Sequence, residues 1–490
     1  MRSKALALLS LLVLAAIAAH ASDHPDSPGR AVTTTQITGW LVGGVSSSRL
    51  TRLVHERGLA TLLTRNELNQ LALAGADRDL IEAAGAGNAW SAKIGPRIPA
   101  ALLKAASEVR EQRFREAEGD LRAVIAADKN NPALHFALGY VLRQQDRFDD
   151  AYEELTAALK LMPDLPEHHN AMSYLFYRLD DGPNAIAEAR TALSIDPRNA
   201  EAYQYLGLAH YSLGQHQAAV QAYAESLERN PDNPDTFYDM GIALHANGNL
   251  PGAVAAYQKA IRLRPEFWEA HSNLALVRHQ EGKLAEAVAE YRVAKRIAPG
   301  EASVRNNLGN TYCDQGNFEA AIAEMKELYR EHPEWQQGHA CMASAYMAKS
   351  EYGQAVEQLR LAVRQNPTGS TEHRILGQAL LLNSQPDEAL RELRLAVSLN
   401  PDSDLAHHLL GTALFERGDL AAAEKEFREA LRVSASADNH YSLAACLMSL
   451  DRYQEALSEI DLAAKLDPQR PLYRARREEL LKLIKDTQPQ

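Results

Sequence analysis

Cysteine is almost missing from these 490 residues. Only Cys313, Cys341 and Cys446 occur, so no disulfide framework holds the chain together and its stability has to come from packing. Aromatic residues are scarce at 6%, with four tryptophans, while alanine is plentiful; that balance favours closely packed helices over a β-sandwich. There is no excess of positive charge. The formal net charge of -12 disfavours nucleic acid and anionic lipid as partners, and removal of the basic N-terminal residues would make it more negative still. Nor is there an apolar run of the roughly 20 residues that a membrane-spanning helix needs.

Motifs that carry chemistry are missing as well. No HExxH, GxSxG, GxxxxGK[ST] or GxGxxG stands in a suitable setting, and no stretch outside the repeats described below is long enough for a catalytic domain. No catalytic residue, cofactor or metal site is therefore assigned, and an enzyme is not expected. His245 and His279 share a phase of neighbouring units, but a metal there needs further ligands, and Cys313 is the one obvious candidate; a polar lining is the simpler role. The adjacent pairs His168-His169 and His407-His408 point to different sides of a helix and cannot easily chelate together.

What is present begins with Arg2 and Lys4, an apolar run from Ala5 to Ala18, and the small-x-small site Ala19-His20-Ala21. This is the pattern of a secretory signal peptide over residues 1–21, the alternative being a retained anchor. No cysteine follows the run, so the lipid-carrying arrangement of bacterial lipoproteins is missing. The expected product is exported, periplasmic or secreted, without stable membrane insertion. Residues 22–32 have linker composition.

Beyond residue 98 the chain is periodic. Alanine recurs every 34 residues at 117, 151, 185, 219, 253, 287, 321, 355, 389 and 423. Proline recurs with the same period from Pro163 to Pro401, and a small residue does so from Gly139 through Ser173, Gly207, Gly241, Ala275, Gly309, Ala343 and Gly377 to Gly411. The small residue and the alanine predict two helices whose backbones approach closely, and the proline predicts the end of the second one. Large apolar residues such as Leu206, Tyr223 and Leu227 follow at helical spacing.

Segments such as 202–231 (AYQYLGLAHYSLGQHQAAVQAYAESLERNP) and 304–333 resemble tetratricopeptide repeats. The resemblance spans about residues 98–470, in about eleven units. The first is degenerate, with Lys129 in the proline phase. The tenth has Ala435 there and is one residue short, which predicts a shortened loop near Ser434 to Asn439 and a local change of pitch. Residues 471–490 read as a capping helix and tail. Ahead of the repeats, residues 33–92 read as a small helical module: Ser46 to Ser48 precede Leu50, Leu53 and Val54 as a cap, and Leu68, Leu71, Leu80 and Ile81 follow. This string is similar to a short helical module of bacterial tetratricopeptide-repeat proteins. It would dock a partner, pair two chains, or cover the open end of the repeats.

The resemblance implies an all-α, right-handed superhelical solenoid of antiparallel helix pairs, with the first helix of each pair on the concave face. Family geometry puts the fifth, ninth and twelfth residues of each unit on that face. They are Phe136, Tyr140 and Arg143, then Asn170, Tyr174 and Tyr177, then Gln204, Leu208 and Tyr211, then Tyr238, Ile242 and His245. Asn273, His279, Asn306, Asn307 and Asn310 continue the candidate groove. Tyrosine joins apolar area to a hydroxyl, and asparagine both donates and accepts, so a polypeptide segment suits this wall. The lysines with which some family members clamp a terminal carboxylate are absent, and Arg374 is the only Lys or Arg at the fifth position of a complete repeat. The function implied is a scaffold that binds a protein or peptide partner, preferably a neutral or basic segment. The alternatives are a self-assembling envelope protein and a glycan or small-molecule binding module.

Overall fold

The computed structural model describes residues 31–86 and 97–486. The expected signal peptide, most of the linker, the end of the N-terminal module and the last four residues lie outside the described residues. Among those described, the regular elements are α-helices, and Val32 and Leu59 form an isolated parallel bridge.

The chain divides into two compact units, residues 1–265 and 266–490. The first holds four short helices, Thr34–Val42, Ser47–Arg57, Arg65–Ala74 and Arg78–Ala86, and then antiparallel pairs from Ala100–Arg110 with Phe114–Ala127 to Pro234–Ala246 with Leu250–Leu263. The second holds pairs from Trp268–Gln280 with Leu284–Ile297 to Ala437–Ser449 with Tyr453–Leu466, followed by the single helix Pro471–Asp486.

Each pair turns on one residue in the left-handed region. Gly214, Gly248, Gly282, Gly316 and Gly418 take it without strain, whereas Asp146, Asp180, Ser350 and Ser384 hold the same place with φ between 57° and 60°. The next amide folds back on the first helix, as Gln215 N does on the His210 carbonyl at 2.9 Å. Side chains of Asn131, Asn199 and Asn233 accept from the first amides of their helices and start them. Second helices stop two residues before their prolines, as Leu250–Leu263 does before Pro265.

The alanine ladder is fully buried, at 0% exposure from Ala117 to Ala423. The small-residue phase does meet the alanine phase across the pair, as Ser173 Oγ donates to the Ala185 carbonyl at 2.8 Å, and its glycines have a second partner. A Cβ on Gly207 would stand 2.5 Å from the Tyr223 ring, one on Gly241 2.5 Å from Tyr257, one on Gly309 2.6 Å from Met325 and one on Gly377 2.5 Å from Leu393. The glycine is a socket for a large side chain of the second helix, one turn past the alanine. A further tie recurs with the same period. The Nδ1 atoms of His135, His169, His373, His407 and His440 lie 2.6 to 2.7 Å from glutamates 19 residues on, in the second helix. His407 belongs to this series, while its neighbour His408 faces Asn439 at 2.8 Å.

The four N-terminal helices do not stand apart from the repeats. Thr33 and Thr64 form capping boxes with Gln36 and Glu67, and Ser46 caps Ser47–Arg57. Ile37, Trp40, Leu50, Leu71 and Leu80 are buried in one core with Leu102, Ala133, Leu134 and Leu175. Arg49 pairs with the buried Glu167, and Arg57 reaches Asp164 at 3.1 Å. At the other terminus Tyr473 and Leu480 are buried, and Arg470 and Tyr473 bond to Asp438.

The shortened loop of the tenth unit is residues 434–436, with Ser436 capping the next helix. A larger irregularity lies at residues 332–338. There the helix His339–Ala348 starts late, after Gly338 at φ +95°, and Tyr329 donates to the Gln337 carbonyl at 2.9 Å.

Candidate functional site

First helices of successive pairs in the 1–265 unit lie side by side, so residues in one phase build a shared wall. The Arg143 guanidinium lies 4.4 Å from the Tyr174 ring centre and 5.5 Å from that of Tyr140. Tyr174 in turn lies 5.4 Å from Tyr205 and 6.0 Å from Tyr177. Arg178 bonds to the Tyr174 hydroxyl at 3.3 Å and lies over Phe148. The Tyr205 hydroxyl donates to Glu201 at 2.7 Å, and burial holds its pKa well above the usual phenol value, so it remains a donor.

The wall continues through Gln204, which donates to Asp239 at 3.1 Å. Burial pushes the Asp239 carboxyl up to about 6, with Asp235 adding to the rise and Gln204 opposing it. Burial raises Tyr177 too, and the Asp239 charge adds to that rise. An acid whose folded pKa lies above its unfolded value makes the fold less stable as pH rises from about 4 to 6, after which its contribution is flat. Asp239→Asn is therefore expected to remove that slope and raise stability at neutral pH. Denaturant titrations of both proteins at pH 4.5 and 7 check this; parallel pH profiles would count against it.

Several sequence-predicted positions fall elsewhere. Phe136 is 5% exposed, lying against Gly43 and the His168 ring, because the chain's own N-terminal helices cover the inner face at that point. Asn170 is 2% exposed and bonds to Asn199 and Glu201. Asn306 is also buried, beside Gly338. These three are not open groove surface, since each packs against a neighbouring segment. Tyr140, Arg143, Tyr174, Tyr177, Gln204, Tyr211, Tyr238, His245, Asn273, His279, Asn307 and Asn310 are half-buried. Tyr211 lies 5.3 Å from His216, Tyr238 lies 6.0 Å from Tyr257, and His279 Nε2 is 2.8 Å from Asp314. Tyr205 and Asp239, one position after the predicted fifth, were missed; they share a phase, and that was their only signal.

Cys313 cannot serve as a metal ligand beside His279, because it is disulfide-bonded to Cys341. Among the described residues no group of three or more His, Cys, Asp or Glu is placed to hold a metal. His168 is fully buried and driven down to about 3 by that burial, with Nδ1 on the Met162 carbonyl; His169 bonds to Glu188 instead. No described helix is long and apolar enough to cross a membrane.

Stacked antiparallel helix pairs recurring at a near-constant spacing, with an aromatic and polar wall on the first helices, define an α-helical hairpin-repeat protein. Tetratricopeptide-repeat models match residues 108–174, 189–221, 207–248, 238–302, 302–330, 342–404 and 408–471, so together they span most of the chain. The chain belongs to the tetratricopeptide-repeat proteins. Repeats of this family generally mediate contacts between proteins. A search of the curated proteins finds no match. Among solved structures, the chain is similar to Pseudomonas aeruginosa pilF (20% identity, 44% of this chain and 98% of that one, TM-score 0.40). It is also similar to yeast Tom70 (16% identity, 78% and 93%, TM-score 0.33) and to the Cut9–Hcn1 hetero-tetramer (13% identity, 86% and 94%, TM-score 0.39).

Proposed function

We propose that this protein is a non-enzymatic scaffold of about eleven repeats that binds a segment of a partner polypeptide along the first helices of its 1–265 unit. The observation that carries this reading is the run of half-buried aromatic and polar side chains from Tyr140 and Arg143 through Tyr174, Tyr205 and Tyr177 to Asp239. Aromatic rings held by neighbours lose little entropy on binding, and Asp239 is largely ionised at neutral pH and favours neutral or basic segments. Because the N-terminal helices occupy the inner face at Phe136, the open wall begins at Tyr140. Their burial against the first repeats supports an end-covering role over chain pairing.

Export to the periplasm or medium is part of the same proposal. It is supported by the signal-like residues 1–21 and by the Cys313–Cys341 bond, since disulfides persist in oxidising compartments.

The test replaces Tyr174, Tyr177 and Tyr211 with alanine and measures affinity for partners captured by the intact protein from envelope extracts. Loss of about a hundredfold or more in affinity is expected, as for the truncation of central aromatic anchors. Unchanged affinity in a folded variant would reject the groove assignment.

A further inference from the structure

The consecutive first helices Ala200–Ser212 and Pro234–Ala246 carry Glu201, Asp235 and Asp239 but neither lysine nor arginine. Two of these acids are engaged. Glu201 accepts from Tyr205 and Asn170, and Asp235 holds the Arg264 guanidinium in a forked pair at 2.7 and 2.8 Å. The arginines of the two preceding first helices are committed as well, Arg143 over the Tyr140 and Tyr174 rings and Arg178 to Asp146 at 3.2 Å. Asp239 is left with one neutral donor, Gln204, at 3.1 Å, and among the described residues no cation pairs with it. Its second oxygen accepts from no group there, and Asp239 is half-buried with that oxygen open to solvent.

Phenol rings frame this carboxylate. Tyr223 reaches it from the second helix of its pair, its ring seated against Gly207, where a Cβ would stand 2.5 Å away, and Tyr211 packs on Tyr223. Burial and then the Asp239 charge raise the Tyr177 pKa; burial, Asp239, Tyr177 and Tyr211 together raise that of Tyr223. Each of these groups therefore lies within electrostatic reach of the others, at one place on the wall. Tyr177 and Tyr211 are half-buried, and their hydroxyls make no hydrogen bond among the described residues.

A half-buried carboxylate with no counter-ion is costly, and a ligand that brings positive charge relieves it. Shape decides between cations. The open acceptors are spread over one carboxylate oxygen and two phenol oxygens, with aromatic surface beside them. An ammonium is compact and strongly hydrated, whereas a guanidinium is planar, weakly hydrated, reaches several acceptors in its own plane and lies against rings.

We propose that Asp239, with Tyr177 and Tyr211, forms a subsite for an arginine side chain of the bound segment. The guanidinium would donate to the open Asp239 oxygen and to the phenol oxygens, while Gln204 holds the other carboxylate oxygen in place. The proposal rests on the groove reading above and adds a side-chain preference to it.

The experiment titrates the full chain, in about 0.15 M salt, with the doubly capped peptide acetyl-Ala-Ala-Arg-Ala-Ala-amide, its citrulline form and its lysine form, by ligand-observed NMR. Citrulline keeps the planar shape and loses the charge. The arginine peptide is expected to bind about tenfold more tightly than the citrulline one, the scale of a charge-assisted hydrogen bond. Asp239→Asn, which keeps the size of the side chain and an acceptor for Gln204, should remove that difference. Glu228→Gln, at an exposed position of the second helix His216–Arg229, should leave it intact. Equal binding of the arginine and citrulline peptides would overturn the proposal, and so would no binding of either. Tighter binding of the lysine peptide would overturn the guanidinium assignment, and equal losses in the two acid variants would mean only general surface charge. A partner captured by the wild type and lost on tyrosine replacement, with no arginine preference, would sink the subsite and leave the groove reading standing.

Discussion

Replacing both Cys313 and Cys341 by serine is expected to lower the stability of the 266–490 unit by about 3 to 4 kcal/mol. The two residues lie 28 apart in sequence, with Cα atoms 6.1 Å apart, on the first helices of consecutive pairs. A cross-link closing a loop of that length removes about this much freedom from the unfolded chain on the chain-entropy model. The segment it encloses contains residues 332–338, where the next first helix begins late, after Gly338. Chemical denaturation with and without reductant measures the effect. The wild type under reductant and the double variant should share one lower midpoint; midpoints unchanged by either treatment would contradict the prediction. Cys446 is buried and unpaired, with burial raising its thiol pKa, so it should not exchange with this pair in the folded state.

Gly207→Val is expected to cost about 2 to 3 kcal/mol in the 1–265 unit, as overpacking of a filled core does. The new Cβ would stand 2.5 Å from the Tyr223 ring, and Tyr223, at 1% exposure, has no room to swing aside. Valine also has poor helix propensity, but that term is no worse than glycine's, so the loss must come from the clash. Gly119→Ala is the control. Nothing lies within 4 Å of its Cβ position, and it sits exposed inside the helix Phe114–Ala127, so alanine there should gain about 0.5 to 1 kcal/mol. If both variants moved stability in the same direction, the glycine phase would be a backbone requirement and not a socket.

Legibility follows periodicity. The alanine, proline and small-residue phases are visible because each is imposed once per unit, and chance does not reproduce the same offset ten times. Most of the tyrosine wall is legible for the same reason, since Tyr140, Tyr174 and Tyr177 hold inner positions of consecutive first helices. The histidine–glutamate ties share the period, but Tyr203, Phe237 and Arg305 interrupt them, so their meaning needed the folded geometry. What the period conceals is the identity of partners. It shows that the small residue and the alanine face each other across the pair, but not that the bulky residue one turn later fills the glycine socket.

By itself the sequence determined that the described chain folds as recurring helix pairs, where each pair turns, and which helix carries the aromatic wall, because those are local choices repeated at a fixed spacing. Tertiary structure alone decided which parts of that wall stay open. Phe136 and Asn170 are lost to neighbouring segments, Arg49 reaches Glu167 across 118 residues, and Cys313 finds Cys341 instead of a metal. The physical reason is that these are single contacts between distant segments. They occur once, so they leave no repeating mark, and only the folded chain brings their members together.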